Sequence, residues 1–248
     1  MFLSGTLLNV ATVLIGTTLG LIAGGRLPAR VGESLTTGLG LFVAVIGITM
    51  AAGIFTDPAS QPGDELAVLG GLLAGVALGE GLRLDDRLEA LGIWFQRRLS
   101  SADADPERPP SRIAEAFVTA SLVFCVGPLT ILGSLENGLR GDASLLATKA
   151  LLDGVASIAF AAALGAGVYL SAGTVLVVQG TIAAASFLLR DVLDARTVLA
   201  ISSTGGLLLL GVALRLLDLK KVRVANFLPA LLFAPLLLRV VDVARGLF

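Results

Sequence analysis

Long apolar stretches alternate with short polar ones along the whole chain. They fall at residues 6–23, 33–55, 65–82, 113–132, 149–170, 174–189, 197–217 and 227–243. Crossing the hydrocarbon core of a bilayer takes about 20 consecutive apolar residues in a helix. The pattern therefore predicts an all-α, polytopic bundle of about eight transmembrane helices. The breaks carry the right residues for helix ends and turns. Gly24-Gly25-Arg26-Leu27-Pro28 closes the first stretch, Asp57-Pro58-Ala59-Ser60-Gln61-Pro62-Gly63-Asp64 separates the second from the third, and Ser171-Ala172-Gly173 predicts a very short turn between the fifth and sixth.

One polar region is substantial, residues 83–112. Leu84, Leu88, Leu91 and Phe95 share a helical face beside Trp94, so residues 84–98 are expected to form an amphipathic helix lying on the membrane surface. The Pro-rich residues 100–112 read as a polar cytoplasmic linker. The chain thus divides into residues 1–99, the linker 100–112, a Pro-interrupted fourth helix at 113–140, and a second half at 141–248.

Composition sharpens this picture. Of 248 residues, 55% are hydrophobic and 15% charged, and the mean hydropathy is +0.91. A soluble domain carries roughly 25% charged residues to cover its surface, so the outer surface here must face lipid. Thirty glycines fit helices that approach closely in that setting. The formal net charge of −1 gives no reason to expect a nucleic-acid partner. With no His and one cysteine, Cys125, the commonest general base, a disulfide framework and a Cys-based zinc site are all missing. No cofactor or metal site is expected. The first apolar stretch lacks the basic flank and small-residue cleavage site of a signal peptide, so it is expected to be retained as a helix.

Orientation follows from the basic residues. Arg83, Arg87, Arg97, Arg98, Arg108 and Arg112 put the long polar region in the cytoplasm, and Lys220, Lys221 and Arg223 do the same for the last connection. Both termini are then extracytoplasmic. Arg140, Arg190 and Arg196 fall on the outer side and run against the rule.

The two halves also resemble each other. Gly70-Gly71-Leu72-Leu73-Ala74-Gly75-Val76-Ala77-Leu78 aligns with 205–214 after one insertion, and Leu7-Leu8-Asn9 with Leu151-Leu152-Asp153. Mid-helix prolines recur at Pro128 and Pro235. This predicts a 4+4 repeat of parallel halves, an arrangement that recurs in transporters with sites near the midplane.

Ionisable groups inside the apolar stretches are the candidate chemistry. Each costs on the order of 2.5–3.5 kcal/mol at the bilayer centre. Lys149 and Asp153 are spaced i,i+4 on one helix face. They form either an internal salt bridge or a pair in which Asp153 faces a polar cavity and binds a cation or proton. Gln179 interrupts the sixth stretch, and its amide either packs between helices or lines a pathway. Asn9 and Asn226, near the ends of their stretches, are either caps or interface groups or further residues of the pathway. Gly127-Pro128 should break or kink the fourth helix and free backbone carbonyls, either as a simple proline kink or as part of a pathway, with Thr130, Ser134, Glu136 and Asn137 following it toward the outer face. Such irregular backbone is tolerated only when buried in protein or lining an aqueous cavity. The glycine pairs lack any phosphate-loop pattern and read as packing glycines.

The run from Phe124 to Gly141, together with 149–154, Gly165-Ala166-Gly167-Val168, Gln179-Gly180, Gly5-Thr6-Leu7-Leu8-Asn9 and 224–231, resembles the bacterial membrane family known as domain of unknown function 554, the YqgA- and YdfK-like proteins. The resemblance covers essentially the whole chain. It implies an inner-membrane protein and supplies no reaction or substrate. The residues lead to a small secondary transporter or channel-like permease for an ion or small solute. The rival is a non-transporting scaffold or regulator acting through its cytoplasmic loop. No enzyme is expected, since no paired acids at helical spacing lie within the spans. The expected partners are the lipid bilayer and, through small-residue faces, a second copy of the chain.

Overall fold

The computed structural model describes residues 3–25, 28–87, 90, 111–125, 128–189 and 193–245, and among these it contains helices and no strand. The helices are α1 (Ser4–Gly24), α2 (Ala29–Thr56), α3 (Asp64–Leu82), α4 (Ser111–Cys125), α5 (Pro128–Arg140), α6 (Ser144–Leu164), α7 (Val168–Ala184), α8 (Ser186–Leu189), α9 (Ala195–Leu216) and α10 (Ala230–Arg245), with a 3-10 turn at Val224–Phe227 before the last. Among the described residues, six helices are long and apolar enough to cross a membrane. A seventh crossing arises if the strongly bent pair α4–α5 counts as one, and α7 is apolar but 17 residues long. Large apolar side chains on the outside of α1, such as Leu7, Ile15 and Ile22, are half or more exposed, as a lipid-facing surface requires.

Two boundaries differ from the sequence reading. The turn between the fifth and sixth stretches lies at Gly165, not at Ser171-Ala172-Gly173. Gly165 has φ 92°, a left-handed conformation, and its N–H bonds back to the Ala161 carbonyl, which ends α6 in the manner glycine favours. Ser171 instead lies inside α7, where its hydroxyl donates to the Val168 carbonyl at 2.6 Å. In addition, Ser111 and Arg112 open α4 instead of ending the linker. Most of the expected surface helix 84–98, the rest of the linker and Gly127 lie outside the described residues.

The chain divides into two compact units that do not follow its halves. The first comprises Met1–Leu39, Asp86–Cys125 and Leu129–Phe187; the second comprises Gly40–Asp85, Val126–Pro128 and Leu188–Phe248. The reason is a seam of glycines that carries α6 back onto α1. Gly16, Gly20 and Gly24 recur every fourth residue on one face, and they lie against Gly154, Ile158 and Ala162 of α6. A methyl added at Gly20 would sit 2.8 Å from the Ala161 Cβ, so only glycine lets the backbones approach this far. The matches at Gly5 with Leu146, Gly16 with Gly154 and Gly24 with Ala162 advance together, so the two helices run parallel.

The second unit has its own seam. Gly71 packs on Ala234, Gly75 on Ala230 and Gly79 on the Asn226 backbone, so α3 and α10 run antiparallel. α9 is the most enclosed span, with 72% of its apolar window buried. Ile54, Ala67, Val68, Ala200 and Leu238 form an apolar cluster in this unit.

Candidate functional site

The predicted acid–base pair lies inside the first unit. Lys149 Nζ donates to Asp153 Oδ1 at 2.9 Å, and the two side chains are 7% and 6% exposed. The second carboxylate oxygen is taken as well, since Asn9 Nδ2 donates to Asp153 Oδ2 at 2.9 Å from α1. Helical spacing explains the Lys–Asp contact. The glycine seam explains the Asn–Asp contact, because it holds α1 and α6 close enough for a short amide to reach across.

Four helices meet at this level. Leu146, in the first turn of α6, lies against Gly5 of α1 and Gly133 of α5. Asn137, one turn on from Gly133, accepts a hydrogen bond from the Gly5 N–H at 3.2 Å and donates to Ser4 Oγ at 3.4 Å. α7 runs antiparallel to α1, since Thr18 bonds to Tyr169 at 2.7 Å while Leu3 lies nearest Gly180. Gln179 therefore stands level with the first turns of α1. Thr6, Asn9, Ser134, Asn137, Lys149 and Gln179 thus share one layer about two helical turns thick. All of them except Lys149, at 6%, are fully buried.

That layer is not saturated. Among the described residues, Thr6 Oγ1, Asn9 Oδ1, Ser134 Oγ and both polar atoms of the Gln179 amide find no hydrogen-bond partner. An unsatisfied buried polar group costs about 1–3 kcal/mol. A run of leucines would avoid that cost, so the layer holds hydrogen-bonding capacity that packing alone does not use.

The other predicted residues are placed differently. Pro128 opens α5 and Cys125 closes α4, so the helix breaks where the sequence predicts. Thr130 Oγ1 donates to the Phe124 carbonyl at 2.8 Å, which satisfies a carbonyl freed by the break and commits the hydroxyl to structure. Glu136 is half-buried on α5. Asn226 belongs to the second unit, where its Oδ1 accepts from the Asp85 N–H at 2.8 Å just past the end of α3. The structure does not bring Thr130 or Asn226 into the unsaturated set.

A second charged cluster escaped the sequence reading. In the second unit, Arg196 Nε donates to Asp64 Oδ2 at 2.7 Å, Nη2 donates to Asp64 Oδ1, and Nη1 donates to Asp242 Oδ1 at 2.6 Å. Asp64 is fully buried. The signal available was its position, one acid at the very start of an apolar stretch and one Arg at the start of another. Outside the spans, two carboxyls are held below the usual range. Partial burial pushes Asp194 up, but the Thr197 backbone N–H and hydroxyl, Arg239 and Arg196 outweigh it; the N–H contact is 2.8 Å and caps α9. Exposed Asp142 is lowered by hydrogen bonds from the Ser144 hydroxyl and N–H. Among the described residues, no three His, Cys, Asp or Glu side chains gather where a metal ion could be held.

No solved structure matches the chain. It is 31% identical over 230 residues to the uncharacterized protein YqgA of Escherichia coli (strain K12), covering 93% of this chain and 94% of the relative. It is 28% identical over 237 residues to the uncharacterized membrane protein YdfK of Bacillus subtilis (strain 168), covering 96% of each. The model of a protein family of unknown function, DUF554, matches residues 4–239. With apolar spans throughout, relatives matched almost end to end and that family model over nearly its whole length, the chain is a helical, multi-pass membrane protein belonging to the DUF554 family.

Proposed function

We propose that the protein is a small secondary transporter or channel-like permease of the cytoplasmic membrane, moving an ion or small solute. One observation carries this reading: the buried layer of the first unit, where an ion pair and five unused hydrogen-bonding atoms are assembled from four helices. Polar groups inside a membrane are costly and usually mark a pathway, and unused capacity has value only when something passes that can take it up. The broken helix α4–α5 contributes Ser134 and Asn137, in keeping with the interrupted helices that build transporter sites. The duplication read from the sequence adds support of a weaker kind, because the compact units cut across its halves.

The reading with extracytoplasmic termini puts three helix ends of the second unit on the same side. Asp64 opens α3, Arg196 lies in the first turn of α9, and Asp242 lies in the last turn of α10. Their mutual bonds gather these three ends on one side, as the basic-residue reading requires.

The test is flux of labelled ions and small solutes into liposomes containing the protein, with Asp153→Asn as the comparison. Loss of a protein-dependent flux in that variant is expected. A variant that keeps every flux and every binding signal intact would sink the proposal.

A further inference from the structure

The charge arithmetic of the unsaturated layer identifies a class of solute. Lys149 and Asp153 neutralise each other at 2.9 Å, so the layer carries no net charge. A lone cation that takes Asp153 from Lys149 leaves two positive charges against one negative, and a lone anion does the reverse. Either leaves one uncompensated charge in an apolar interior, which is strongly disfavoured. A solute bearing both signs leaves the total unchanged.

The geometry points to a small zwitterion, amino-acid-like, as the solute, docking by exchange with the Lys149–Asp153 contact. Asp153 is the fixed partner, because Asn9 Nδ2 holds its second oxygen at 2.9 Å. Lys149 is the movable one, a compact charge on a flexible four-carbon stem. The two residues have Cβ atoms about 5–6 Å apart as an i,i+4 pair, and a carboxylate and ammonium on neighbouring carbons fit between such side chains. On docking, the solute's ammonium takes Asp153 and its carboxylate takes Lys149. The idle atoms complement the same solute. Asn9 Oδ1 and Gln179 Oε1 accept, Gln179 Nε2 donates, and the Thr6 and Ser134 hydroxyls do either. This deepens the transport reading and rests on the same layer, but it makes a separate claim about what binds.

The experiment uses the full chain purified in detergent. It records the unfolding midpoint and equilibrium dialysis of radiolabelled probes. The zwitterions are glycine, L-alanine, γ-aminobutyrate and glycine betaine. The controls are methylammonium, sodium and potassium as lone cations, acetate as a lone anion, and acetamide as an uncharged solute. At least one zwitterion is expected to bind saturably and raise the midpoint, while its single-charge fragments at ten times its concentration do not. Gln179→Leu should weaken that binding at least tenfold, with the ligand-free midpoint unchanged or raised, because the substitution removes an unsatisfied amide. A merely structural amide would instead lower the midpoint. Lys149→Met/Asp153→Leu, which leaves no orphan charge and so keeps the protein folded, should abolish binding altogether.

A flat response to every zwitterion overturns the inference, as does an equal response to acetamide or to a lone ion. The same probes in liposomes separate the two claims. A lone ion that moves, and stops moving in Asp153→Asn, overturns this inference and keeps transport. A zwitterion that binds without crossing overturns transport and keeps this inference.

Discussion

Each unit buries a carboxylate beside a cation, and the two do so in opposite ways. In the second unit Arg196 offers a planar fork. Both Asp64 oxygens take it side by side, one also accepts the Gln61 N–H at 2.9 Å, and Asp242 takes a third donor. The three groups come from three helix ends, so their bonds fasten α3, α9 and α10 together. In the first unit Lys149 and Asp153 sit on a single helix, fasten nothing to each other that α6 did not already hold, and are joined to α1 through Asn9. Around them lie five polar atoms without a hydrogen-bond partner among the described residues, against two in the second unit, the Ser202 and Ser203 hydroxyls on α9. Arginine suits a clamp because its guanidinium is rigid, bidentate and always charged, whereas lysine suits an exchangeable contact. The second cluster therefore reads as structure and the first as a site.

The comparison breaks most visibly at Arg196. Arg196→Met leaves the fully buried Asp64 without its partner, and breaking a buried pair in this way costs about 3–5 kcal/mol. The expected result is a large drop in the thermal midpoint or in resistance to denaturing detergent, with no rescue by Arg196→Lys because the fork is lost. Unchanged stability would show that the clamp is not one.

Removing both charges from the first unit should do the reverse. Replacing a buried ion pair by apolar groups of similar size is often neutral or stabilising by about 1–4 kcal/mol. Lys149→Met/Asp153→Leu is therefore expected to keep or raise the midpoint while every protein-dependent flux disappears. A marked destabilisation would make the pair a fastener like its counterpart.

The smallest effect sharpens the picture at the start of α9. Losing the Asp194 cap in Asp194→Ala should cost about 0.5–2 kcal/mol. Its carboxyl is held below the usual range in the folded chain. That contribution is present above the unfolded value of about 3.9 and is lost as pH falls through the lower folded value. Unfolding curves of the native chain and Asp194→Ala should therefore converge only at strongly acidic pH. Convergence near neutrality would contradict the assignment.

What the sequence shows and hides follows from the range over which its signals act. Lys149 and Asp153 were legible because four residues along a helix fix their separation, and the break at Gly127-Pro128 because proline cannot continue the ladder. The Asn9–Asp153 bond joins positions 144 apart, and nothing local announces it. Gln179 stood out as a polar residue, but whether its amide finds a partner depends on three other helices. The glycines of α1 were legible as packing residues, though not which helix they pack on. Ser171-Ala172-Gly173 resembled a turn because small polar residues break soluble helices. Inside lipid the backbone has no water to turn toward, so they stay helical and Gly165, at positive φ, makes the turn. Arg196, which ran against the basic-residue rule, is bound by two acids that the linear chain keeps far away.

The parallel seam between α1 and α6 has a further consequence in the order of synthesis. α1 leaves the ribosome before α6, and Asp153, the partner of Asn9, follows that residue 144 positions later. At roughly 5–20 residues per second, that interval is about 7–30 s. For that time the first helix waits in the membrane with a bare glycine groove and an unanswered amide. The newborn chain must be shielded there until its mate arrives, or it will fasten to the wrong one.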